Sequence, residues 1–237
     1  QPENLKEVAH FLLTHPNNPT TTVFSRQKLE QLSEFVIKHD LVVVIDQVFE
    51  GTVFDNREFV SLAALPGMWE RCVTVFSTSK SMSLCGFRVA YNVACAEIMS
   101  VMHASAVYIL GATNTFAQAG ALAALRNDDF VDEYNRIFDL RRLAAYEAFT
   151  MIPGVHCLLP EATFLIWINI SQLGTSDEIA KLLREKAKVA VTSGSRYGEH
   201  GEGGLRLNIA QLDEKKLNDV LKQISLTLTE HARTKGI

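Results

Sequence analysis

The residues best suited to chemistry lie just after an apolar segment in the first half of the chain. Lys80 follows Ser77 and Ser79, and Arg88 comes eight positions later. A lysine amine can form a Schiff base with an aldehyde, while serine hydroxyls and a guanidinium are groups that bind phosphate. Together these residues predict a site for pyridoxal 5'-phosphate, an aldehyde cofactor that carries a phosphate group.

Two other interpretations of Lys80 stay open on spacing alone. A lysine after a strand is often a solvated loop residue, because lysine is seldom buried without a task. Ser77 and Lys80 also match S-x-x-K, the nucleophile motif of penicillin-binding proteins and β-lactamases. The K-T-G and S-D-N motifs that accompany it in those enzymes do not occur in this sequence, which argues against the second interpretation.

Three more polar residues could contact such a cofactor or its substrate. Asp46 directly follows the apolar run LVVVI, so its carboxylate needs a cationic partner such as a protonated pyridine nitrogen. Asn18 lies in the turn HPNNPT and could donate to the cofactor's phenolic oxygen. Arg206 alternates with apolar residues on a predicted strand, where a guanidinium requires a carboxylate partner. The structural alternatives are a helix cap or a turn-closing residue for Asp46, a rigid turn residue for Asn18 and an internal salt bridge for Arg206.

The order of apolar segments predicts an α/β fold in the first half. Strands predicted at 11–14, 41–45, 72–76 and 87–94 alternate with helices that begin near Ser25 and at residue 96. An open, doubly wound sheet of this kind binds ligands at the carboxyl ends of its strands. Residues 3–9 predict a turn or two of helix. Small residues predict an interior helix at 115–125, and several arginines predict an exposed helix at 128–149: Arg136, Arg141 and Arg142.

The second half predicts a small α+β domain. Strands are expected at 155–159, 163–170, 189–191 and 205–210, with helices at 177–188 and from Asp213 onward. We predict the domain boundary between residues 138 and 139. The glycines between residues 194 and 204 lack the G-x-G-x-x-G spacing, so they predict a mobile entry loop instead of a nucleotide cradle.

Composition narrows the classes of partner. The 237 residues carry a net charge of -4 without a cluster of five or six like charges, which predicts binding of neither nucleic acid nor an anionic membrane. The four cysteines have no ligand-like pairing and predict reduced thiols in a cytoplasmic protein. No histidine spacing suits a metal ion. We expect four histidines at turns or on the surface: His15, His39, His103 and His156.

Taken as a set, these residues resemble the class I/II aminotransferases, the fold-type I pyridoxal-phosphate enzymes. The sequence matches the motifs of this family in the family's order. These motifs are N-P-x-G, then D-E-x-Y, then S-x-S-K followed by a glycine and an arginine, and finally a late arginine. The matching residues are Asn18-Pro19-Thr20, Asp46, Ser77/Ser79/Lys80, Gly86/Arg88 and Arg206-Leu207-Asn208. The sequence departs from the pattern at Thr21, Gln47 and Phe49, where the family has glycine, glutamate and tyrosine.

The resemblance implies the carboxyl-terminal portion of a mostly parallel open-sheet large domain at 1–138 and a small α+β domain at 139–237. It also implies a homodimeric enzyme that moves an amino group between an α-amino acid and a 2-oxo acid. The implied roles are Lys80 as Schiff-base lysine and proton carrier, Asp46 at the ring nitrogen, Asn18 at the ring oxygen, and Ser77, Ser79 and Arg88 at the phosphate. Arg206, with Asn18, would hold the substrate α-carboxylate.

Two alternatives remain beside this interpretation. A carbon–sulfur β-lyase shares the same lysine and cofactor, since the reaction type depends on other groups. A non-catalytic module or a fragment is the other alternative, because family members carry a long segment before the asparagine turn that we expect this chain to lack.

Overall fold

The computed structural model describes residues 8–237 and divides the chain into two compact units. The first unit extends to Asn17 and resumes at Thr22–Tyr134, and the second contains Asn18–Thr21 and Asn135–Ile237. Residues 3–7 of the first predicted helical turn lie outside the described residues, and residues 8 and 9 are not helical. The domain boundary at 138/139 stays a prediction.

A four-stranded mixed sheet forms the centre of the first unit. Its order follows the sequence, and two of the three pairings are parallel, whereas the last is antiparallel. The strands are β1 (His10–Thr14), β2 (Val42–Asp46), β3 (Cys72–Ser77) and β4 (Ala90–Val93). The α/β prediction is therefore confirmed. The last strand is shorter than predicted because a 3-10 turn, Cys85–Phe87, occupies its expected beginning.

Helix α1 (Arg26–Lys38) covers this sheet. The Oγ atom of Ser25 accepts a hydrogen bond from Lys28 N at 3.3 Å and caps the first turn. The helix buries Leu29 and Val36 in the same apolar cluster as the β2 residues Val43 and Ile45. Burying each such side chain contributes roughly 1.5–3 kcal/mol, so this face fixes the helix on the sheet.

Helices α2 (Ala96–Ile109) and α3 (Thr115–Arg126) complete the first unit with little burial. Within the described chain, α2 has no buried residue and α3 buries only Ala121. The prediction of an interior helix at 115–125 is therefore wrong for this chain. Small residues permit close packing, but burial also requires a covering surface, and Phe116 remains 88% exposed.

Helix α4 (Asp129–Thr150) corrects a second prediction, that of an exposed helix. The side chain of Arg142 is buried, forms an ion pair with Asp139 and donates to Pro160 O at 2.8 Å. Arg141 Nη1 donates to Ile209 O and to Ala210 O at 3.1 and 2.7 Å. Arginine is usually exposed, so the residue type alone suggested solvent exposure. The prediction failed because the carbonyl groups that bind these arginines are distant in sequence.

The second unit is built on an antiparallel sheet with the order β5-β6-β8-β7. Its elements are β5 (His156–Cys157), β6 (Leu165–Asn169), α5 (Ser176–Leu182), a π-helical turn (Leu183–Ala187), β7 (Thr192–Ser193), β8 (Gly204–Asn208) and α6 (Glu214–Lys235). The strand predicted at 189–191 is misplaced, since pairing begins only at Thr192. Helix α6 begins after Asp213, whose side chain accepts from Lys216 N.

The glycine-rich loop between β7 and β8 is closely packed. Gly194 and Gly201 are buried. A Cβ atom added to Gly194 would collide with the backbone oxygen of Gly201. Close approach of two backbone segments therefore requires glycine here, while the mobility expected from the sequence stays a prediction.

His15 was expected at a turn or on the surface. It lies at a bend but is fully buried, with its ring stacked on Phe59 at 4.8 Å and 5.5 Å from the ring of Phe24. Burial lowers its pKa, which favours the neutral imidazole. Across residues 8–237, no helix has the length and hydropathy needed to cross a membrane.

Candidate active site

Asp46 is the last residue of β2, at the edge where the parallel strands have their carboxyl ends. Its Oδ1 accepts a hydrogen bond from Val48 N at 3.1 Å, which begins a tight turn. Gln47 is fully buried, and its Nε2 donates to Ser61 Oγ at 3.1 Å. The side-chain amide of Gln47, which stands where the family has glutamate, therefore has a hydrogen-bond partner inside the protein. The Asp46 carboxylate lies at the end of the strand.

The loop after β3 presents Lys80 beside this turn. Ser77 ends the strand, and its Oγ accepts from Ser79 N at 3.1 Å. Leu84 N donates to Thr78 O at 3.1 Å, which folds the loop back on itself. Lys80 Nζ lies 5.7 Å from the ring centroid of Phe49. The structure therefore brings Lys80 close to the residue three positions after Asp46.

Arg88 follows the same loop and has a local contact. It adopts a left-handed conformation with φ +57° and is exposed. Its Nη1 donates to Cys85 O at 2.6 Å. The two serines of the predicted phosphate site, Ser77 and Ser79, are thus joined to each other by a hydrogen bond. Arg88 is not bonded to them, because its guanidinium binds the carbonyl of Cys85 in its own turn.

Arg206 lies on β8 of the second unit, in contact with Asn18. Its Nη1 donates to Asn18 Oδ1 at 3.0 Å, and its Nη2 is 3.4 Å from Thr192 Oγ1. Among residues 8–237 it forms no ion pair with an acidic side chain, so the alternative of an internal salt bridge is not observed. The guanidinium is therefore available to bind an anion from outside the chain.

The turn that carries Asn18 forms without the family's glycine. Thr21 takes its place with φ +65°, a conformation that L-residues rarely adopt. The Thr21 carbonyl accepts from Glu161 N and Ala162 N at 3.2 and 3.1 Å. Because Oδ1 of Asn18 accepts from Arg206, its Nδ2 is left as the donor, which suits the role that the resemblance implies.

Comparison with known proteins identifies the family. The family model described as aminotransferase class I and II matches residues 1–224. The chain belongs to this family. It is 33% identical to an aspartate aminotransferase of Pyrococcus abyssi over 94% of this chain and 58% of that protein. It is 31% identical to aromatic-amino-acid aminotransferase 2 of Thermococcus litoralis over 93% and 57%, respectively.

Solved structures of this aminotransferase family have the same fold. The crystal structure of an aromatic aminotransferase from Pyrococcus horikoshii superposes with a TM-score of 0.90 at 31% identity. It is matched over 96% of this chain and 61% of that chain. This chain therefore spans less than two thirds of the length of the relatives that it matches.

Glu50 is a buried carboxyl group near Asp46 that the sequence did not single out. Its Oε2 is buried and has no hydrogen-bond partner within residues 8–237. Burial, with a smaller contribution from the charge of Asp46, raises the pKa of Glu50 to about 7. Tyr91 on β4 has its pKa raised by burial and then by Glu50. The only signal in the sequence is a carboxylate four positions after Asp46, and such spacing is common.

Tyr197 is the second residue without a sequence signal. Its ring centroid lies 5.6 Å from Cζ of Arg206, within the range of a cation–π interaction. Burial raises the pKa of the Cys72 thiol to about 11 and that of the Cys157 thiol to about 12, which disfavours their thiolate forms. The described part of the chain holds no cluster of side chains that could bind a metal ion.

Proposed function

We propose that the protein is a pyridoxal-phosphate-dependent aminotransferase, which moves an amino group between an α-amino acid and a 2-oxo acid. The single observation that carries this proposal is the pairing of Lys80 with the turn after Asp46, seen in Lys80 Nζ over the Phe49 ring. The names of the two relatives further suggest aspartate or an aromatic amino acid as the amino donor.

The donor groups fit pyridoxal phosphate by their chemistry. An amine, a carboxylate at a strand end and paired hydroxyls match the aldehyde, the pyridinium nitrogen and the phosphate of this cofactor. When bound, the cofactor supplies a ring that withdraws electrons from the substrate α-carbon. We propose that the Lys80 amine would hold the cofactor at its aldehyde carbon and would carry the proton that leaves the substrate α-carbon. Asp46 would hold the ring nitrogen, and Asn18 Nδ2 would donate to the ring oxygen.

We propose that Ser77, Ser79 and Arg88 bind the phosphate. The Oγ atom of Ser77 lies 3.4 Å from Val89 O, a long contact that a phosphate oxygen can replace. Arg88 is exposed, and the carbonyl that it now binds is a weaker partner than a dianion. Charge-assisted bonds are roughly twice as strong as neutral ones, which favours turning the guanidinium toward phosphate.

We propose that Arg206 binds the α-carboxylate of the substrate. Its guanidinium has no acidic partner among the described residues, and Asn18 and Thr192 hold it through neutral oxygens. A planar guanidinium binds a carboxylate through two parallel hydrogen bonds. A carboxylate ligand would therefore supply the negative charge that the surrounding residues do not.

A homodimer in the cytoplasm, with a domain boundary at 138/139, completes the proposal. The support for the dimer is a set of apolar side chains at the end of α2 and on α3, each at least three quarters exposed: Tyr108, Ile109, the α2 C-cap Leu110 and Phe116. Apolar patches of this kind commonly mark protein interfaces. The support for the cytoplasm is that all four cysteines are free thiols.

Visible absorbance after mixing with pyridoxal phosphate tests the proposal. We expect a new band in the wild type that is absent in Lys80→Ala and present in Lys38→Ala, a matched control on α1. Incubation with aspartate or phenylalanine and a 2-oxo acid acceptor should then produce the corresponding keto acid. Ammonia and pyruvate released without an acceptor would indicate a β-lyase, and an unchanged spectrum would indicate a non-catalytic module.

A further inference from the structure

The aromatic ring of Tyr197 lies over the guanidinium of Arg206, 5.6 Å from Cζ to the ring centroid. A cation within about 6 Å of a ring face is attracted by the electron density of that face. The same ring packs edge-on against Trp167, with 5.7 Å between centroids and an interplanar angle of 82°. Tyr197 is thus held by Trp167 while its face contacts Arg206.

The hydrogen bonds of Arg206 leave a suitable set of donors for a carboxylate. A guanidinium has five N–H groups. One hydrogen of Nη1 binds Asn18 Oδ1, and one of Nη2 is directed at Thr192 Oγ1. One hydrogen on each Nη atom and the Nε–H remain for a ligand. A carboxylate can accept two of these only if the guanidinium plane stays in one orientation.

The turn that carries Tyr197 is tied to α5. Tyr197 ends the 3-10 turn Gly194–Tyr197. Within it, Ser195 Oγ donates to Asp177 Oδ1 at 3.1 Å and lies 2.8 Å from Ser193 Oγ. Hydrogen bonds from these serines lower the pKa of Asp177, so its carboxylate is charged at neutral pH. This network gives the Tyr197 ring a fixed position relative to β8.

We propose that Tyr197 is a positioning residue for Arg206 and sets the affinity of the protein for the substrate carboxylate. The inference rests on the proposed function. The ring holds the guanidinium plane before the ligand arrives, so binding does not have to order it. Without the ring, ligand binding must also immobilise the long arginine side chain, and this loss of side-chain entropy lowers the affinity.

The experiment compares Tyr197→Leu with Tyr197→Phe, which keeps the ring. Calorimetry measures the Kd of succinate, an unreactive dicarboxylate, on the full chain loaded with pyridoxal phosphate. Loss of the cation–π contact should weaken succinate binding about three- to thirtyfold in Tyr197→Leu. Tyr197→Phe should stay within about threefold of the wild type. KM for the 2-oxo acid should rise in Tyr197→Leu with a smaller change in kcat, as expected for lost ground-state binding.

Two controls separate positioning from a general structural effect. Succinamide has no charge to pair with Arg206, so any binding that it shows should be equal in all three proteins. Ser195→Ala keeps the Tyr197 ring but removes the bond to Asp177, and we expect an intermediate loss of succinate affinity. This second variant also tests the proposal if Tyr197→Leu fails to fold, in which case unchanged affinity in Ser195→Ala overturns it.

The outcomes distinguish this inference from the proposed function. Equal succinate affinity in the wild type and a folded Tyr197→Leu overturns the role of Tyr197, and so does an equal loss in Tyr197→Phe. A wild type that binds no pyridoxal phosphate overturns the proposed function instead. The succinate titration is then repeated on the chain alone, where the same ratio between variants supports the positioning role and absence of binding overturns it.

Discussion

Replacing Asp139 by alanine should destabilise the second unit by about 2–3 kcal/mol, because it removes a carboxylate that forms an ion pair with the buried guanidinium of Arg142. Nε and Nη2 of Arg142 both bind Asp139 Oδ1 at 2.6 Å, and the Arg142 side chain is only 2% exposed. Breaking a fully buried pair costs about 3–5 kcal/mol. The Asp139 side chain is 43% exposed, so water screens the pair and the expected cost is lower.

A double-mutant cycle isolates this interaction. Arg142→Met removes the charge but leaves an unbranched apolar side chain in the same space, and Pro160 O loses its donor. In that background Asp139→Ala should cost about 0.5 kcal/mol or less, since an exposed carboxylate then has no buried partner. The coupling free energy is therefore expected to be about 2 kcal/mol.

Urea denaturation followed by tryptophan fluorescence measures these values. The chain has two tryptophans, Trp69 in the first unit and Trp167 in the second. In a Trp69→Phe background, the signal reports on the second unit alone. If Asp139→Ala costs the same with arginine or methionine at position 142, the pair contributes nothing and the reasoning is refuted.

Three further predictions concern the sites and the glycine loop. Phe49→Tyr should lower the pH midpoint of the absorbance of bound pyridoxal phosphate, because a hydroxyl there can donate to the ring oxygen; equal midpoints in a spectroscopic titration would contradict this. Since the pKa of Glu50 is raised to about 7, its contribution to stability is complete below pH 4.5 and is lost as the pH rises through 7. Glu50→Gln should therefore lose less stability than the wild type between pH 5 and 8, as measured by urea denaturation followed at Trp69, and parallel pH profiles would refute the assignment. Gly194→Ala should destabilise the second unit by about 3 kcal/mol because its Cβ meets the Gly201 backbone; a smaller shift in the midpoint monitored at Trp167 would show that the loop can relax.

Local sequence signals predicted most of the elements. The run LVVVI became β2 within one residue, because β-branched side chains suit a strand covered on both faces. Ser25 and Asp213 cap their helices as their residue types predict, since the capping hydrogen bond needs only the first turn of the helix itself. These features depend only on residues that are close in sequence, so they can be predicted from the sequence.

Features that depend on distant partners were not predictable in this way. Arg141 and Arg142 were expected in solvent, but carbonyls from residues 160, 209 and 210 bind them. The burial of α3 was overestimated. Its small residues show that it could pack closely against another element, but they do not show that such an element is present. His15 was expected at a turn or on the surface, and it lies at a bend, but its full burial beside Phe24 and Phe59 was not predicted.

The sequence by itself determined which chemical groups are present and in what order: a lysine among serines after one strand, an aspartate after another, an asparagine turn and a late arginine. Only the tertiary structure decided their partners. Asn18 and Arg206 are 188 positions apart yet joined by a hydrogen bond, with Tyr197 over the same guanidinium. Side-chain directions across such separations follow from the packing of whole elements, which no local pattern encodes.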